Sequence, residues 1–310
     1  MNTALPTSIP EYLEQLRAAL AGADPALVQD ALYDAEEYLR SEMAENPDKS
    51  EAEVIASVAG SYGAPDEVAD IYRDTEVKVT RALRPPPPPQ RKSALGQFFG
   101  VLADPRAYTS LFYMLLSLAT GVFYFTWIVT GASLSAGLGV LIIGIPFVIL
   151  FFGSVRLLSL VEGRLVEVML GERMPRRPLY AERGKPLLQR IVDMFIDPRT
   201  WSTMLYFLAM LPLGIFYFTL IVTMTACSLA FIATPIAVWI FGADAGVSVG
   251  GWQLLNIGDD VISTSLQAWA LPFLFVTGFL MLFLTLHIAR GLGMLHGLFA
   301  KHLLVKSAAY

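Results

Sequence analysis

The stretch GVFYFTWIVT at 121–130 returns as GIFYFTLIVT at 214–223, with eight of ten positions identical and an offset of 93 residues. The match extends without a gap from DPRAYTSLFYMLLSLATGVFYFTWIVTGASLS at 104–135 to DPRTWSTMLYFLAMLPLGIFYFTLIVTMTACS at 197–228. After the initial DPR, both copies are uncharged and rich in aromatic residues. They predict two units of like fold, each built around a long apolar helix.

Uncharged runs carry this apolar character through most of the chain beyond residue 106. Residues 107–155, 200–243 and 261–289 contain no Asp, Glu, Lys or Arg. Each run exceeds the roughly 20 residues that a helix needs to cross a hydrocarbon core of about 30 Å. The chain is 55% hydrophobic over 310 residues, with a mean hydropathy of +0.55. We therefore predict an all-α integral membrane protein.

The charges separate an acidic N-terminal head from a membrane part with basic borders. Residues 1–76 hold 17 acidic and 4 basic side chains, whereas 77–310 hold 10 acidic and 18 basic. Because the basic residues border apolar spans, we expect them to face membrane headgroups and not nucleic acid. The positive-inside rule then predicts that both termini are cytoplasmic. The four predicted spans are 107–130, 134–155, 200–223 and 267–289.

A fifth apolar segment, 226–241, does not fit this topology as a full span. Counted as one, it would put the acidic loop or the basic C terminus on the wrong side. We therefore predict a broken or re-entrant continuation, kinked at Pro235. Since both units run in the same direction, the membrane part is predicted to be a parallel tandem repeat. The predicted domains are an acidic helical domain at 1–82, a Pro-rich linker and interfacial segment at 83–103, the first repeat at 104–196, and the second repeat at 197–310 with an outer-loop insertion at about 241–266.

The head carries helix-start signals and a family resemblance. Asp24 before Pro25 predicts a capped helix start, and Ser50 with Glu53 predicts a capping box. The segments YLEQLRAAL, DALYDAEEYL and YGAPDEVADIY, the last at 62–72, resemble the HAAS domain of bacterial cytosolic signalling proteins. The resemblance implies a head that passes envelope signals to partners such as PadR-type transcription regulators.

The membrane part resembles a second family. The segments DPRTWSTMLYFL at 197–208, GGWQLL at 250–255 and ARGLGMLHGL at 289–298 are similar to the "putative sensor" domain, a four-span module of many bacterial histidine kinases. This resemblance implies a sensory role in the bacterial inner membrane. No kinase motif occurs in the sequence. We therefore expect output through the head or through a separate protein.

Two sets of residues are candidates for contacts with ligands or partners. The repeated phrase places aromatic residues near the outer interface, where an interfacial belt or a shared lipid pocket would use them. The candidate lipid, ligand or interface residues are Phe123, Tyr124, Thr126, Thr130, Phe216, Tyr217, Thr219 and Thr223. The candidate partner-docking residues on the head are Tyr33, Glu36, Glu37, Tyr62, Asp66 and Glu67.

No constellation of residues points to catalysis. The sequence has no catalytic motif, no metal-ligand spacing and a single cysteine, Cys227. We expect no enzymatic activity, no cofactor and no metal. The leading hypothesis is a membrane sensor that binds lipids and relays membrane or envelope state to a cytosolic regulator or kinase. The alternatives are a non-catalytic accessory subunit of a larger transporter complex and a lipid-binding membrane protein, and a homo-oligomer is compatible with each.

Overall fold

A computed structural model describes residues 6–83, 93–139, 141, 144–175, 196–241, 245–249, 252–257 and 264–305. The proline run at 85–89 and most of the connector between the two predicted repeats lie outside these residues. Within the described residues, four helices are long and apolar enough to cross a membrane. The all-α fold class and the four predicted spans are therefore confirmed.

The head consists of four helices around a common apolar core. They are α1 (Ile9–Ala19), α2 (Pro25–Glu45), α3 (Glu51–Ser61) and α4 (Pro65–Leu83). Asp24 accepts a hydrogen bond from the Ala26 N–H, and Ser50 and Glu53 form the predicted capping box. Tyr12 is fully buried in the core, and its hydroxyl donates to the Gly63 carbonyl over 2.8 Å. The predicted helix starts are therefore confirmed.

The short segment before the first span packs more tightly than an interfacial helix would. It comprises α5 (Ala94–Phe99) and a 3-10 turn (Gly100–Ala103). Phe99 and Leu102 are exposed, as the predicted interfacial segment requires. Phe98 instead stacks on His287 and lies beside Phe283. Part of the segment therefore packs against the membrane helix that carries Phe283 and His287.

The long membrane helices are α6 (Pro105–Leu138), α7 (Gly144–Leu170), α8 (Pro198–Phe241) and α9 (Thr264–Leu304). The predicted break in segment 226–241 is wrong, because α8 continues without interruption through Pro212 and Pro235. A proline removes one backbone hydrogen bond, whereas breaking a helix in lipid would leave several polar groups unsatisfied. At about 1.5 Å per residue, the 44 residues of α8 measure roughly 66 Å, which is more than a hydrocarbon core requires.

The insertion between α8 and α9 contains a two-stranded hairpin that the sequence analysis did not predict. Strands β1 (Ala245–Val249) and β2 (Trp252–Ile257) pair antiparallel, with Val249 opposite Trp252. Two glycines separate the strands in the sequence, and this spacing favours a tight hairpin connection. The hairpin lies within the predicted insertion.

The described residues group into two compact units. Unit 1 contains those within 1–87, 125–209 and 296–310, and unit 2 contains those within 88–124 and 210–295. Unit 1 therefore holds the head together with the end of α6, all of α7, the start of α8 and the end of α9. Unit 2 holds the start of α6, most of α8 and most of α9.

In unit 2, α6 and α8 approach each other at two glycines. A Cβ added to Gly121 would collide with the Met210 carbonyl oxygen, and one added to Gly214 would collide with the Ser117 carbonyl oxygen. These four residues form two contacts related by the same offset of 93, because Gly214 follows Gly121, and Met210 follows Ser117, by that number. Small residues at such a crossing let two membrane helices pack backbone to backbone.

Candidate functional site

Ion pairs join the head to the ends of the membrane helices in unit 1. Lys301 near the end of α9 lies 2.5 Å from the Asp24 carboxylate, and Arg173 just beyond α7 lies 3.4 Å from the Asp30 carboxylate. Arg173 also pairs with Glu76 of α4. The side chains of Arg173 and Asp30 are only 16% and 7% exposed. Solvent and salt therefore screen this pair less than they would an exposed one.

Local backbone structure presents these charges. Asp24 uses Oδ1 to cap α2 and Oδ2 to contact Lys301, so one carboxylate serves both roles. Gly171 follows the last residue of α7 with a φ of +79°, the left-handed conformation with which helices commonly end. Just after this turn, the Glu172 carboxylate lies 3.8 Å from the Lys301 ammonium. We call this region the polar end. It comprises the end of α7 with Arg173, the start of α8, and the end of α9 with Lys301.

A buried hydrogen-bonded cluster ties three membrane helices together beneath these charges. The Tyr206 hydroxyl on α8 lies 2.9 Å from Glu162 Oε1 on α7 and 3.0 Å from His296 Nε2 on α9. Glu162 and Tyr206 are fully buried and His296 is 1% exposed. Because the hydroxyl carries one hydrogen, its donation to Glu162 requires His296 to donate through Nε2. The cluster is therefore a directional chain of hydrogen bonds.

The start of α8 is fixed by Asp197. One carboxylate oxygen accepts from the Arg199 N–H at 3.1 Å, and the other lies 3.3 Å from the Arg156 guanidinium of α7. Arg199 donates through Nε to the Leu304 carbonyl at the end of α9. Ser202 likewise donates to a carbonyl of that last turn. Side chains from the first turns of α8 thus satisfy carbonyl groups that the end of α9 leaves without helical partners.

A small cavity opens between α7 and α8 at the same level. Its volume is about 30 Å³, and its lining residues are Val155, Arg156, Ser159, Leu160, Asp197, Arg199, Thr200 and Thr203. Two buried donors border it without a hydrogen-bond partner, Arg199 Nη1 and Thr200 Oγ1. A cavity of this size has room for one or two water molecules or a comparable polar group.

Unit 2 has a related ion pair in different surroundings. Arg290 of α9 lies 2.9 Å from Asp104, and the same carboxylate accepts from the Arg106 N–H. The neighbouring cluster is apolar and consists of Val101, Ala107, Phe283 and Leu286, with Phe98 and Leu111 packed against it. His287 is close by, and one of its ring nitrogens lies 3.0 Å from the Phe98 carbonyl oxygen.

The candidate residues of the repeated phrase divide by orientation. Tyr124 and Tyr217 are buried, at 3% and 6% exposure. The two phenylalanines and four threonines are exposed on the helices, where lipid or another protein would contact them. The exposed set is Phe123, Thr126, Thr130, Phe216, Thr219 and Thr223. Their role as a lipid, ligand or interface site stays a prediction.

The head residues predicted to dock a partner lie on α2, at the end of α3 and at the start of α4. Glu36 pairs with Arg40 along α2, and Tyr62 stacks on Tyr38 with ring centroids 4.6 Å apart. Glu67 accepts from the Ala64 N–H at the start of α4. Tyr33 and Glu37 are partly exposed, and Asp66 is exposed. Their use by a partner stays a prediction.

Sequence spacing did not reveal the polar end. Glu162 lies two residues before Arg164 in the sequence, but its buried carboxylate accepts a hydrogen bond from Tyr206, whereas Arg164 pairs with Glu167. Tyr206 lies 44 residues from Glu162 and 90 from His296, so no local pattern connects them. The available signal was the return of charge at the borders of the uncharged runs, at Arg156 and Arg199.

Comparison with known proteins places the membrane part in a family. The family described as "Putative sensor" matches residues 113–304, which is more than half of the 310-residue chain. No curated protein and no solved structure matches the chain. The HAAS-like resemblance lies outside the matched range and stays a prediction. The matched residues include the buried cluster, the cavity and the Arg156–Asp197 pair, and the chain belongs to the "Putative sensor" family.

Proposed function

We propose that the protein is a membrane sensor in which the polar end holds the acidic head, and that membrane or envelope state changes how firmly the head is held. The family supports a sensor-like role. The observation that carries the relay is the set of ion pairs from Asp24 and Asp30 to Lys301 and Arg173. These pairs give the head a defined position relative to the helix ends in unit 1.

The buried cluster supplies a physical route for the signal. Because Tyr206 bonds to both Glu162 and His296, a shift of one helix strains the hydrogen bonds to the other two. Lys301 lies five residues beyond His296 on α9, and Arg173 lies just past the end of α7. A change in helix packing therefore alters the spacing of the two cations that hold the head.

The proposal includes a location and a partner. Basic residues flank the spans, which supports cytoplasmic termini in the bacterial inner membrane. Since the head resembles a HAAS domain, we propose that its exposed acidic surface binds a cytosolic regulator or kinase when the head is released. The duplicated sequence and the two glycine contacts related by the offset of 93 support a parallel tandem repeat.

Chemical cross-linking of the head to α9 tests the relay. Cys227 is the only cysteine, so Cys227→Ser gives a cysteine-free background. In that background, Ala21→Cys with His302→Cys is treated with a short bismaleimide in vesicles of different lipid composition; both residues are exposed and lie close in sequence to the Asp24–Lys301 pair, which stays intact. We expect efficient cross-linking that changes with the lipid. Asp48→Cys with His302→Cys is the control, because Asp48 is an exposed head residue beyond the other end of α2.

The outcome also separates the rival functions. Cross-linking that is equally efficient in every lipid would overturn the relay. If a membrane-embedded partner co-purifies with the full-length protein and stays bound when Lys301→Glu releases the head, the accessory-subunit hypothesis gains support. A soluble regulator that binds more strongly to Lys301→Glu, and less strongly when Asp24→Lys restores the pair, would support the sensor.

A further inference from the structure

We propose that the cavity between α7 and α8 binds a phosphate oxygen, supplied by an anionic lipid headgroup or by free phosphate. The site consists of Arg199 and Thr200, beside the Arg156–Asp197 pair. This location is distinct from the aromatic phrase that the sequence indicated as a lipid site. As a sensory input the site rests on the proposed function, but its occupancy is measured separately from head movement.

Two unpartnered donors carry the proposal. Thr200 is 3% exposed, its Oγ1 has no hydrogen-bond partner, and it lines the cavity. Arg199 Nη1 is also buried without a partner and borders the same space. A buried donor left unsatisfied costs roughly 1 to 3 kcal/mol, so two such donors at one cavity indicate an acceptor that binds there. A guanidinium and a hydroxyl together suit a phosphate oxygen.

The charges at the cavity favour an anion over a neutral acceptor. Arg156 and Arg199 border it against one carboxylate, that of Asp197. Both oxygens of Asp197 are already engaged, one with the Arg199 N–H and one with Arg156. The negative charge of Asp30 on the head also interacts electrostatically with Arg199, but the Asp30 carboxylate is already paired with Arg173. The Nη1 group of Arg199 therefore still has capacity for an anionic oxygen.

Size and position point to the phosphate level of a membrane. About 30 Å³ admits one or two oxygen atoms and excludes a whole headgroup. Arg156 is the first charged residue after the uncharged run 107–155, and Arg199 is the last before the run 200–243. The cavity therefore lies where hydrocarbon gives way to headgroups. Val155 and Leu160 provide an apolar wall on which the start of an acyl chain could rest.

The first repeat provides a matched control. Arg106 and Ala107 occupy the positions 93 residues before Arg199 and Thr200. Arg106 is exposed, and alanine has no hydroxyl to bind a ligand. The same DPR motif is therefore present without the converging buried donors. If a substitution at position 199 weakens phosphate binding and one at position 106 does not, the cavity binds the phosphate and basic charge in general does not.

Native mass spectrometry of the full-length protein tests the site. Protein in detergent is equilibrated with phosphatidylglycerol, with phosphatidylcholine, or with inorganic phosphate, and the retained molecules are counted. We expect Thr200→Val to weaken phosphatidylglycerol binding about tenfold and Arg199→Gln to weaken it roughly a hundredfold. Thr200→Ser, which keeps the hydroxyl, and Arg106→Gln should retain the wild-type amount. Thermal unfolding of each variant confirms that it is folded.

Each outcome decides the proposal. Loss of phosphatidylglycerol in Thr200→Val but not in Thr200→Ser supports the site with a lipid as its source. Inorganic phosphate that binds alone, and is lost in the same variant, supports the site with a soluble source. Equal retention of both ligands in wild type, Thr200→Val and Arg199→Gln overturns the site. If phosphatidylglycerol retention is lost in Thr200→Val while cross-linking of Ala21→Cys to His302→Cys is unchanged in that variant, the site is supported but is rejected as the sensory input.

Discussion

The two arginine–aspartate pairs, Arg156–Asp197 and Arg290–Asp104, are the same kind of interaction in different surroundings. Asp197 and Asp104 each cap the start of a long helix and pair with an arginine. Around Asp197 the neighbours are polar: a cavity, a buried tyrosine cluster and cations that bind the head. Around Asp104 the neighbours are aromatic and aliphatic. The pair itself is therefore a structural element that the chain uses twice, and the difference in function comes from what packs beside it.

A larger side chain at the contact between α6 and α8, where Gly121 and Gly214 lie, should lower the stability of the protein most. Gly121→Val and Gly214→Val would each place side-chain atoms against a carbonyl of the facing helix, at a cost of about 3 kcal/mol. Unfolding of the purified protein by heat or detergent measures this. Gly137→Val, also on α6 and with open space around its Cβ position, should change stability little. Unequal losses of stability at Gly121 and Gly214 would weaken the view that the chain uses the same structural elements twice.

Loss of the hydroxyl at the centre of the buried cluster should come next. Tyr206→Phe leaves Glu162 and His296 without their shared partner, which we expect to cost about 2 to 3 kcal/mol. Tyr108→Phe is the control, because Tyr108 is exposed and its hydroxyl bonds to a backbone carbonyl at the surface. Equal melting temperatures for Tyr206→Phe and wild type would show that the polar surroundings contribute no stability.

Neutralising the aspartates compares the two pairs directly. Asparagine keeps the side-chain oxygen that caps the helix and removes the charge that attracts the arginine. The Asp104 side chain is 6% exposed and that of Asp197 is 23% exposed. We therefore expect Asp104→Asn to cost about 2 kcal/mol and Asp197→Asn about 1 kcal/mol, measured by denaturant unfolding. The reverse order would mean that the surroundings of Asp197 are less hydrated than its exposure indicates.

Alkaline pH should destabilise the head selectively. At neutral pH this effect is the smallest of those predicted. Burial raises the pKa of Tyr12 and Tyr72 above the ordinary value near 10, and Tyr72 also donates to Asp34. Their stabilising contribution is complete below about pH 10 and is lost as the pH rises towards their folded-state pKa values.

Tyrosinate absorbance of the full-length protein follows this loss. The head contains no tryptophan, so tryptophan fluorescence reports on the membrane part alone. We expect tyrosine ionisation with a late, cooperative phase and little change in fluorescence apart from that of the exposed Trp201 at the polar end. Tyr72→Phe should abolish part of the late phase. Simple titration of every tyrosine near pH 10 would contradict the prediction.

Sequence alone predicted the architecture because it depends on patterns that are local in the chain. The uncharged runs specify the spans, and Asp24 and Ser50 specify helix starts through contacts two or three residues away. The continuity of α8 was missed because segment 226–241 was weighed as a separate span, which the positive-inside rule disfavours, and a break at Pro235 was inferred in its place. The segment instead extends one helix through Pro235, which avoids the unsatisfied polar groups of a broken helix in lipid.

The candidate site could not be predicted in the same way. Glu162, Tyr206 and His296 meet only after three helices pack, and Asp30 is buried although it belongs to the acidic head. Arg199 and Arg106 occupy matching places in the repeat, yet only the first is drawn inward. The surrounding helices, and not the motif itself, decide which arginine borders a cavity.

The double use of Asp24 has a thermodynamic consequence. One oxygen holds the first turn of α2 and the other holds Lys301, so docking restricts the rotamer that capping also needs. Each interaction lowers the entropy lost in forming the other, and the two are therefore cooperative. A ligand that competes for Lys301 would also loosen the start of α2. The head would then report occupancy at α9 through the fraying of its own helix, even before it moved away.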